Sequence, residues 1–249
     1  MAVANKQVKS RSSVRLKPGK VPFVVGTVTS PRWKLPKGKK KLDCDVVELR
    51  LDQMPSLTDW LSRGEVIEAA GVPVIVTVRH ASEGGAWTEA DTARVPLYDL
   101  ALRHLSAVDV ELQSSIVKEV CALAKQRRKC CIVSFHDFKK TPPLSELKRV
   151  AARAQKLGSI IKVTTMTHTE ADVETLRRFL ACKWTKPICV MGMGPLGRAT
   201  RVEFPKLGSC LTYGYLDEPA APGQLSAAQI VKRLRAALPG HDKAVAAGR

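Results

Sequence analysis

The sequence predicts an α/β chain folded as a (β/α)8 barrel with an N-terminal β-hairpin closing its floor, and three observations carry that expectation. Eight short β-rich runs recur from end to end of the 249 residues. Most are continuous Val/Ile/Cys stretches without polar alternation, as strands buried on both faces of a parallel sheet read. Most segments between them place apolar residues three and four apart, and eight such units match the barrel in count and length. A doubly wound open sheet is the alternative.

Taken in order, Val14 to Leu16 followed by Lys17-Pro18-Gly19-Lys20 reads as a short strand and turn, suited to a hairpin that plugs the floor. Strands are expected at 22–28, 44–51, 72–79, 107–113, 130–138, 160–166, 187–193 and 210–216. Helices are expected at 56–70, opened by an S-x-x-D pattern and followed by Gly71, and at 88–105, 114–128, 144–157, 170–182 and 226–238. Gly158 is placed to close the fourth of these. Two intervals are poor helices: 31–42 is basic with two prolines, and 198–207 is short and interrupted by Pro205. The expected organisation is a basic, flexible arm at 1–13, a single (β/α)8 catalytic domain at 14–238 and a flexible tail at 239–249.

Charge sharpens the functional question. The chain carries 41 Lys and Arg against 23 Asp and Glu, a formal +18 that by itself invites a nucleic-acid or anionic-membrane reading. Twelve of the basic residues precede the first acid, Asp43, and the body that remains is only +6. Such a body suits a soluble enzyme with an anionic substrate, so a nucleic-acid partner shrinks to a question about the arm. No run approaches the ~18 apolar residues of a membrane span. Seven cysteines without a C-x-x-C pair, most inside apolar runs, point to a reducing, cytoplasmic home.

A barrel gathers its chemistry at the C-terminal ends of the strands, so ionisable residues there are the candidates. Glu48 and Arg50 share one face of the second strand, with Asp52 next. Arg79 ends the third, with Glu83-Gly84-Gly85 beyond; His136 and Asp137 end the fifth; Lys162 lies within Ile160-Ile161-Lys162-Val163 of the sixth. Buried charges of this kind must neutralise one another or line a polar cavity. A desolvated lysine in a barrel strand, in the company of Arg50, Arg79 and Arg201, is suited to attack on a ketone, with a histidine one strand away to shuttle protons. The bland alternatives are a snorkelling lysine, or one paired with Glu48, and a core histidine. Gly192-x-Gly194-x-x-Gly197 with Asp217 twenty residues beyond the last glycine formally satisfies a dinucleotide fingerprint, but the unit that ends at Asp217 has no strands after it to complete a nucleotide-binding sheet. The five histidines show no metal-binding spacing, so no metal is expected.

These residues resemble the type I 3-dehydroquinate dehydratases. The resemblance rests on V-E-L-R-L-D at Val47 to Asp52, V-R-H-A-S-E-G-G at Val78 to Gly85, S-F-H-D-F at Ser134 to Phe138, I-K-V at Ile161 to Val163 and A-P-G-Q at Ala221 to Gln224. It implies a cofactor-free, commonly homodimeric barrel that dehydrates 3-dehydroquinate to 3-dehydroshikimate, in the shikimate pathway, through a lysine imine. By that resemblance Lys162 forms the imine, His136 is the general acid–base and Glu83 orients it. Arg201 clamps the substrate carboxylate, Glu48, Arg50 and Arg79 line the ring-hydroxyl pocket, and Gln224 closes over the substrate on a lid at 219–224. Met166 and Met193 form apolar walls. Ala220 stands where a serine is often found, and Gly26-Thr27 and the 31–42 segment also depart from the pattern. Competing functions are another lysine-imine lyase or aldolase, and a polyanion binder built around the arm.

Overall fold

Each of the eight apolar runs becomes a strand: β1 (Phe23–Val28), β2 (Val46–Arg50), β3 (Val74–Thr77), β4 (Ala107–Glu111), β5 (Cys130–Asp137), β6 (Ile160–Met166), β7 (Ile188–Met193) and β8 (Leu211–Tyr215). The computed structural model describes residues 15–16, 21–36, 42–54, 56–219, 224–241 and 245. The arm at 1–13, most of the expected hairpin (Val14 and 17–20), residues 37–41 and Ala220 to Gly223 of the expected lid lie outside the described residues.

All strand pairs are parallel, in the order β7-β6-β5-β4-β3-β2-β1-β8. The remaining seam, between β7 and β8, is drawn together by Cys210 N donating to Ile188 O at 2.8 Å and Val190 N donating to Ser209 Oγ at 3.0 Å. The sheet is thus a nearly closed barrel, and the open-sheet alternative is excluded. Around it run α1 (Trp60–Ala69), α2 (Val95–His104), α3 (Val117–Gln126), α4 (Leu144–Leu157), α5 (Glu170–Leu180), α6 (Gly194–Lys206) and α7 (Ala227–Ala237).

Strand parity divides the core in two, because alternate residues face opposite sides of a sheet. Outward residues such as Val24, Val47, Val76, Val133 and Val190 pack against the helices. Inward residues at the floor, among them Phe23, Val25, Ile75, Ile132 and Leu211, form a second apolar cluster joined by Leu16 and Val245. One step up the same inward rows the side chains turn polar: Thr27, Glu48, Thr77, Asp109, Ser134 and Lys162 are all buried.

The helices depart from expectation at their starts. α1 begins at Trp60, not at 56, and Asp59 occupies its N-cap position without a side-chain cap bond. The expected 88–105 helix is a 3-10 turn at Asp91–Arg94 followed by α2, with Pro96 in its first turn, where a missing N–H costs nothing. The expectation that 198–207 is a poor helix is wrong: α6 runs thirteen residues with Pro205 inside. Pro205 cannot donate to the carbonyl of Arg201, but Thr212 Oγ1 of β8 does so at 2.8 Å, which satisfies the orphaned acceptor. α7 meets expectation closely, with Ser226 and Gln229 forming a capping box. Gly158 does close α4, in extended rather than left-handed backbone. In the 29–45 interval the described residues contain no helix, as the prolines predict; Trp33 and Leu35 pack on the core and Arg63 Nη2 donates to Ser30 O and Trp33 O. Beyond α7, where a flexible tail was expected, His241 Nε2 lies 2.9 Å from Pro22 O and is buried with Val245 at the floor.

Candidate active site

Lys162 occupies an inward position of β6, opposite Ser134 of β5 and Cys189 of β7. Its Nζ donates to Asp109 Oδ2 at 2.8 Å and lies 4.2 Å from the Tyr213 ring centroid. The other Asp109 oxygen accepts from Arg79 Nη2 at 2.6 Å and from Ser134 Oγ at 2.6 Å. Burial works to raise the Asp109 pKa, but Arg79 and Lys162 hold it far below the usual carboxylate range. Asp109 thus separates two cations that the sequence places together without an anion between them.

His136 enters from β5 one inward step above Ser134. Its backbone N donates to Glu83 Oε2 at 3.1 Å, and its Nδ1 lies 3.0 Å from the same oxygen. Glu83 is delivered by a 3-10 turn at Ala81–Glu83, closed by Gly84 at φ +75°. That left-handed backbone favours glycine, and a side chain at residue 84 would also push aside the tip of the exposed Phe138 ring. Burial pushes Glu83 up to about 7 despite Arg79. Burial, with Arg79 and Lys162 close by, pushes His136 well below its ordinary value and keeps the imidazole neutral. A carboxyl bound to Nδ1 leaves Nε2 to face a reacting group.

The other residues singled out from the sequence lie at or just beyond the C-terminal halves of the strands. Glu48 accepts from Thr27 Oγ1 at 2.9 Å and Thr77 Oγ1 at 2.8 Å, which gives Thr27 of the unusual Gly26-Thr27 pair a place in the site. Arg50 forms a two-pronged bond to Asp52 through Nε and Nη2 at 2.9 and 2.8 Å. Arg79 also meets Glu111 at 3.2 Å. Met166 and Met193 stand side by side, half-buried, at the ends of β6 and β7. Gln224 is half-buried just ahead of Leu225, whose carbonyl accepts from Tyr215 N.

Arg201 on α6 differs from the other arginines. Its Nη1 donates to the carbonyls of Gly192 and Gly197 at 2.8 and 3.2 Å, its Nε is buried without a partner, and no carboxylate of the described residues pairs with it. Burial lowers its pKa, as expected of a cation without a counter-ion. The G-x-G-x-x-G run has a packing role: Gly197 presses on Gly192 so closely that a Cβ there would lie 2.3 Å from a backbone carbon, and Gly192 N is held by Thr200 Oγ1. This contact brings α6, and so Arg201, against β7.

Sequence reading missed Asp109, Glu111, Tyr213 and the buried Arg94. The signal for the acids was present: Asp109 and Glu111 stand two apart in the apolar strand A-V-D-V-E, the same spacing that singles out Glu48 and Arg50.

A nearly closed parallel barrel whose mouth holds a buried lysine, a neutral histidine on a carboxyl and an unpaired arginine defines a barrel enzyme equipped for amine and acid–base chemistry on an anionic substrate. The family model for type I 3-dehydroquinase matches residues 21–238. The 3-dehydroquinate dehydratase of Methanocella arvoryzae is 34% identical over 218 residues, covering 86% of this chain and 96% of the relative. That of Methanococcus vannielii is 33% identical over 190 residues, 75% and 85% of the two chains. The crystal structure of the Aquifex aeolicus 3-dehydroquinate dehydratase, 27% identical, has a TM-score of 0.71 and covers 78% of this chain and 89% of its own. The chain belongs to the type I 3-dehydroquinase family, whose reaction is a hydro-lyase one, the dehydration of 3-dehydroquinate.

Proposed function

We propose that the chain dehydrates 3-dehydroquinate to 3-dehydroshikimate, with Lys162 as the imine-forming nucleophile and His136 as the general acid–base. The observation that carries the reading is the buried Lys162 beside a neutral, Glu83-bound His136 at one barrel mouth. Attack of Nζ on the ketone expels water and gives an imine, which in its protonated form is a far better electron sink than the ketone. His136 Nε2 takes the proton from the adjacent carbon, and the electron pair left behind moves toward the imine nitrogen. Loss of the hydroxyl from the next carbon, protonated by the imidazolium, leaves the new double bond as water departs. Hydrolysis of the imine returns the ketone and the free lysine.

Arg201 binds the substrate carboxylate. A cation held only by carbonyls has both the charge and the unused hydrogen-bonding capacity to receive it, and a fixed carboxylate decides which proton faces His136. Glu48, Arg50 and Arg79 receive the ring hydroxyls, Met166 and Met193 wall the ring, and Gln224 closes over it from the loop after β8. The working unit is the domain at 14–238, as a homodimer in the cytoplasm; the seven free thiols fit a reducing compartment. No helix of the described residues is long and apolar enough to cross a membrane. The mild charge of the body argues against nucleic acid as a partner.

Incubation with 3-dehydroquinate and borohydride, followed by peptide mass spectrometry, tests the chemistry. A reduced adduct on Lys162 and loss of turnover in Lys162→Ala are expected. An adduct elsewhere, or unchanged turnover in that variant, would overturn the mechanism. Sedimentation of the purified chain tests the dimer.

A further inference from the structure

Behind the reactive lysine, buried charges of alternating sign run outward in a single row. Lys162 meets Asp109 at 2.8 Å, Asp109 meets Arg79 at 2.6 Å, Arg79 meets Glu111 at 3.2 Å, and Glu111 meets Arg94 at 2.7 Å. Asp91 ends the row on the other guanidinium nitrogen of Arg94. Three cations and three anions balance. Arg94 has 0% of its side chain exposed, yet it bonds none of Lys162, His136 and Glu83. Its four partners are Val78 O, Glu111, Asp91 and Ser114 Oγ.

We propose that Arg94 is a positioning residue for the reaction: it holds Glu111, Glu111 holds Arg79, and Arg79 holds the Asp109 carboxylate against Lys162. The proposal rests on the reading that Lys162 and His136 carry the chemistry. Geometry supports it at each link. Glu111 divides its oxygens, Oε1 to Arg79 and the His80 backbone N, and Oε2 to Arg94. Arg79 is stretched between Glu111 on one side and Asp109 on the other, with Ser134 Oγ at 2.8 Å between them. Without Arg94, the Glu111 carboxylate would have Arg79 as its only cation and would draw it away from Asp109. A guanidinium held at both ends in this way has one orientation, whereas one held at a single end can swing.

The row also touches the acid–base pair. Glu83 feels Arg79, Glu111 and Asp109 and bonds His136, and it shares a cavity of about 510 Å³ with His80, Glu89, Asp91, Arg94 and Glu111. A Glu111 left without Arg94 adds an uncompensated negative charge to that cavity, which favours the protonated Glu83.

The test compares the full-length protein with Arg94→Met and with the charge-balanced double variant Arg94→Met/Glu111→Gln, measuring kcat and KM for 3-dehydroquinate against pH together with thermal melting. In Arg94→Met, kcat is expected to fall about 10- to 100-fold with KM changed less than about threefold, and the rising limb of the pH profile to move to higher pH. In the double variant the limb is expected to return to its wild-type position while kcat stays low, because Arg79 has lost its second ionic anchor. A merely structural role would lower the melting temperature and leave the limb and kcat untouched; wild-type kcat in either folded variant overturns the proposal. Borohydride trapping on wild-type Lys162 separates the failures. No adduct there defeats the reading of the site, whereas an adduct alongside unaffected variants defeats only the positioning role.

Discussion

Glu83 and His136 are displaced in opposite directions, and in the proposed mechanism the pair sets the pH at which the site works. Burial raises Glu83 to about 7 and pushes His136 well below its ordinary range. His136 is therefore neutral, and able to accept a proton, at pH values where an ordinary imidazole would already be protonated. In the proposed mechanism the carboxylate form of Glu83, bound to Nδ1, stabilises the imidazolium that forms when Nε2 takes its proton. The kcat/KM profile should accordingly rise through about pH 7 as Glu83 ionises, and Glu83→Gln should abolish that limb and cut activity by about 10²-fold or more. Stability runs the other way: a carboxyl raised from 4.5 in the unfolded chain to about 7 in the fold stabilises fully below pH 4.5 and loses that contribution as pH rises through 7. A second prediction concerns Asp109. Asp109→Asn strips two buried cations of their shared counter-ion and should cost about 3–5 kcal/mol by chemical denaturation, with turnover lost as Lys162 and Arg79 part. Lys162, His136 and Glu83 were legible because charge stands out in or beside apolar runs. Asp109 carries the same signal, but residues 53 apart in sequence give no sign that it, and not Glu48, is the anion that meets Lys162.

Among the elements, α6 shows what the pattern of residues could not convey. A proline near the end of a short, polar stretch argues against a helix when only local bonding is considered. The acceptor that Pro205 orphans is met by Thr212 Oγ1, a hydroxyl from the next strand. No periodicity within 194–206 contains that information. The same bond fixes the backbone of Arg201, so its loss should register in function as well as in stability. Thr212→Val should cost about 1–3 kcal/mol for the unsatisfied carbonyl and raise KM for 3-dehydroquinate more than it lowers kcat, which steady-state kinetics on the folded variant would read. The eight strands were all legible because runs buried on both faces need no partner information to be recognised. Helix starts were less so: α1 and α2 begin later than their apolar spacing predicts, since packing and Pro96 set the first turn.

For the molecule as a whole, closing the barrel and running its chemistry compete for the same interior. The floor is filled with apolar side chains, and the layer above it holds charges that give stability only while they remain paired. Closure then depends on the seam where β7 and β8 form no ladder. Ser209 Oγ stands in for the missing bonds, accepting from Val190 N at 3.0 Å and reaching Leu211 O at 3.0 Å, while Cys210 N reaches Ile188 O. One hydroxyl and one backbone bond therefore join the first strand of the sheet order to the last. Ser209→Ala would leave the buried Val190 N–H unpaired, at a cost of about 1–3 kcal/mol. The effect should be local before it is global: amides of β7 and β8 should exchange hydrogen faster than those of β4 and β5, which lie far from the seam in the sheet order. Hydrogen-exchange mass spectrometry of the two proteins decides the matter. Uniform acceleration across all eight strands would show that the barrel opens as one unit, and that the seam is no weaker than the ladders it completes.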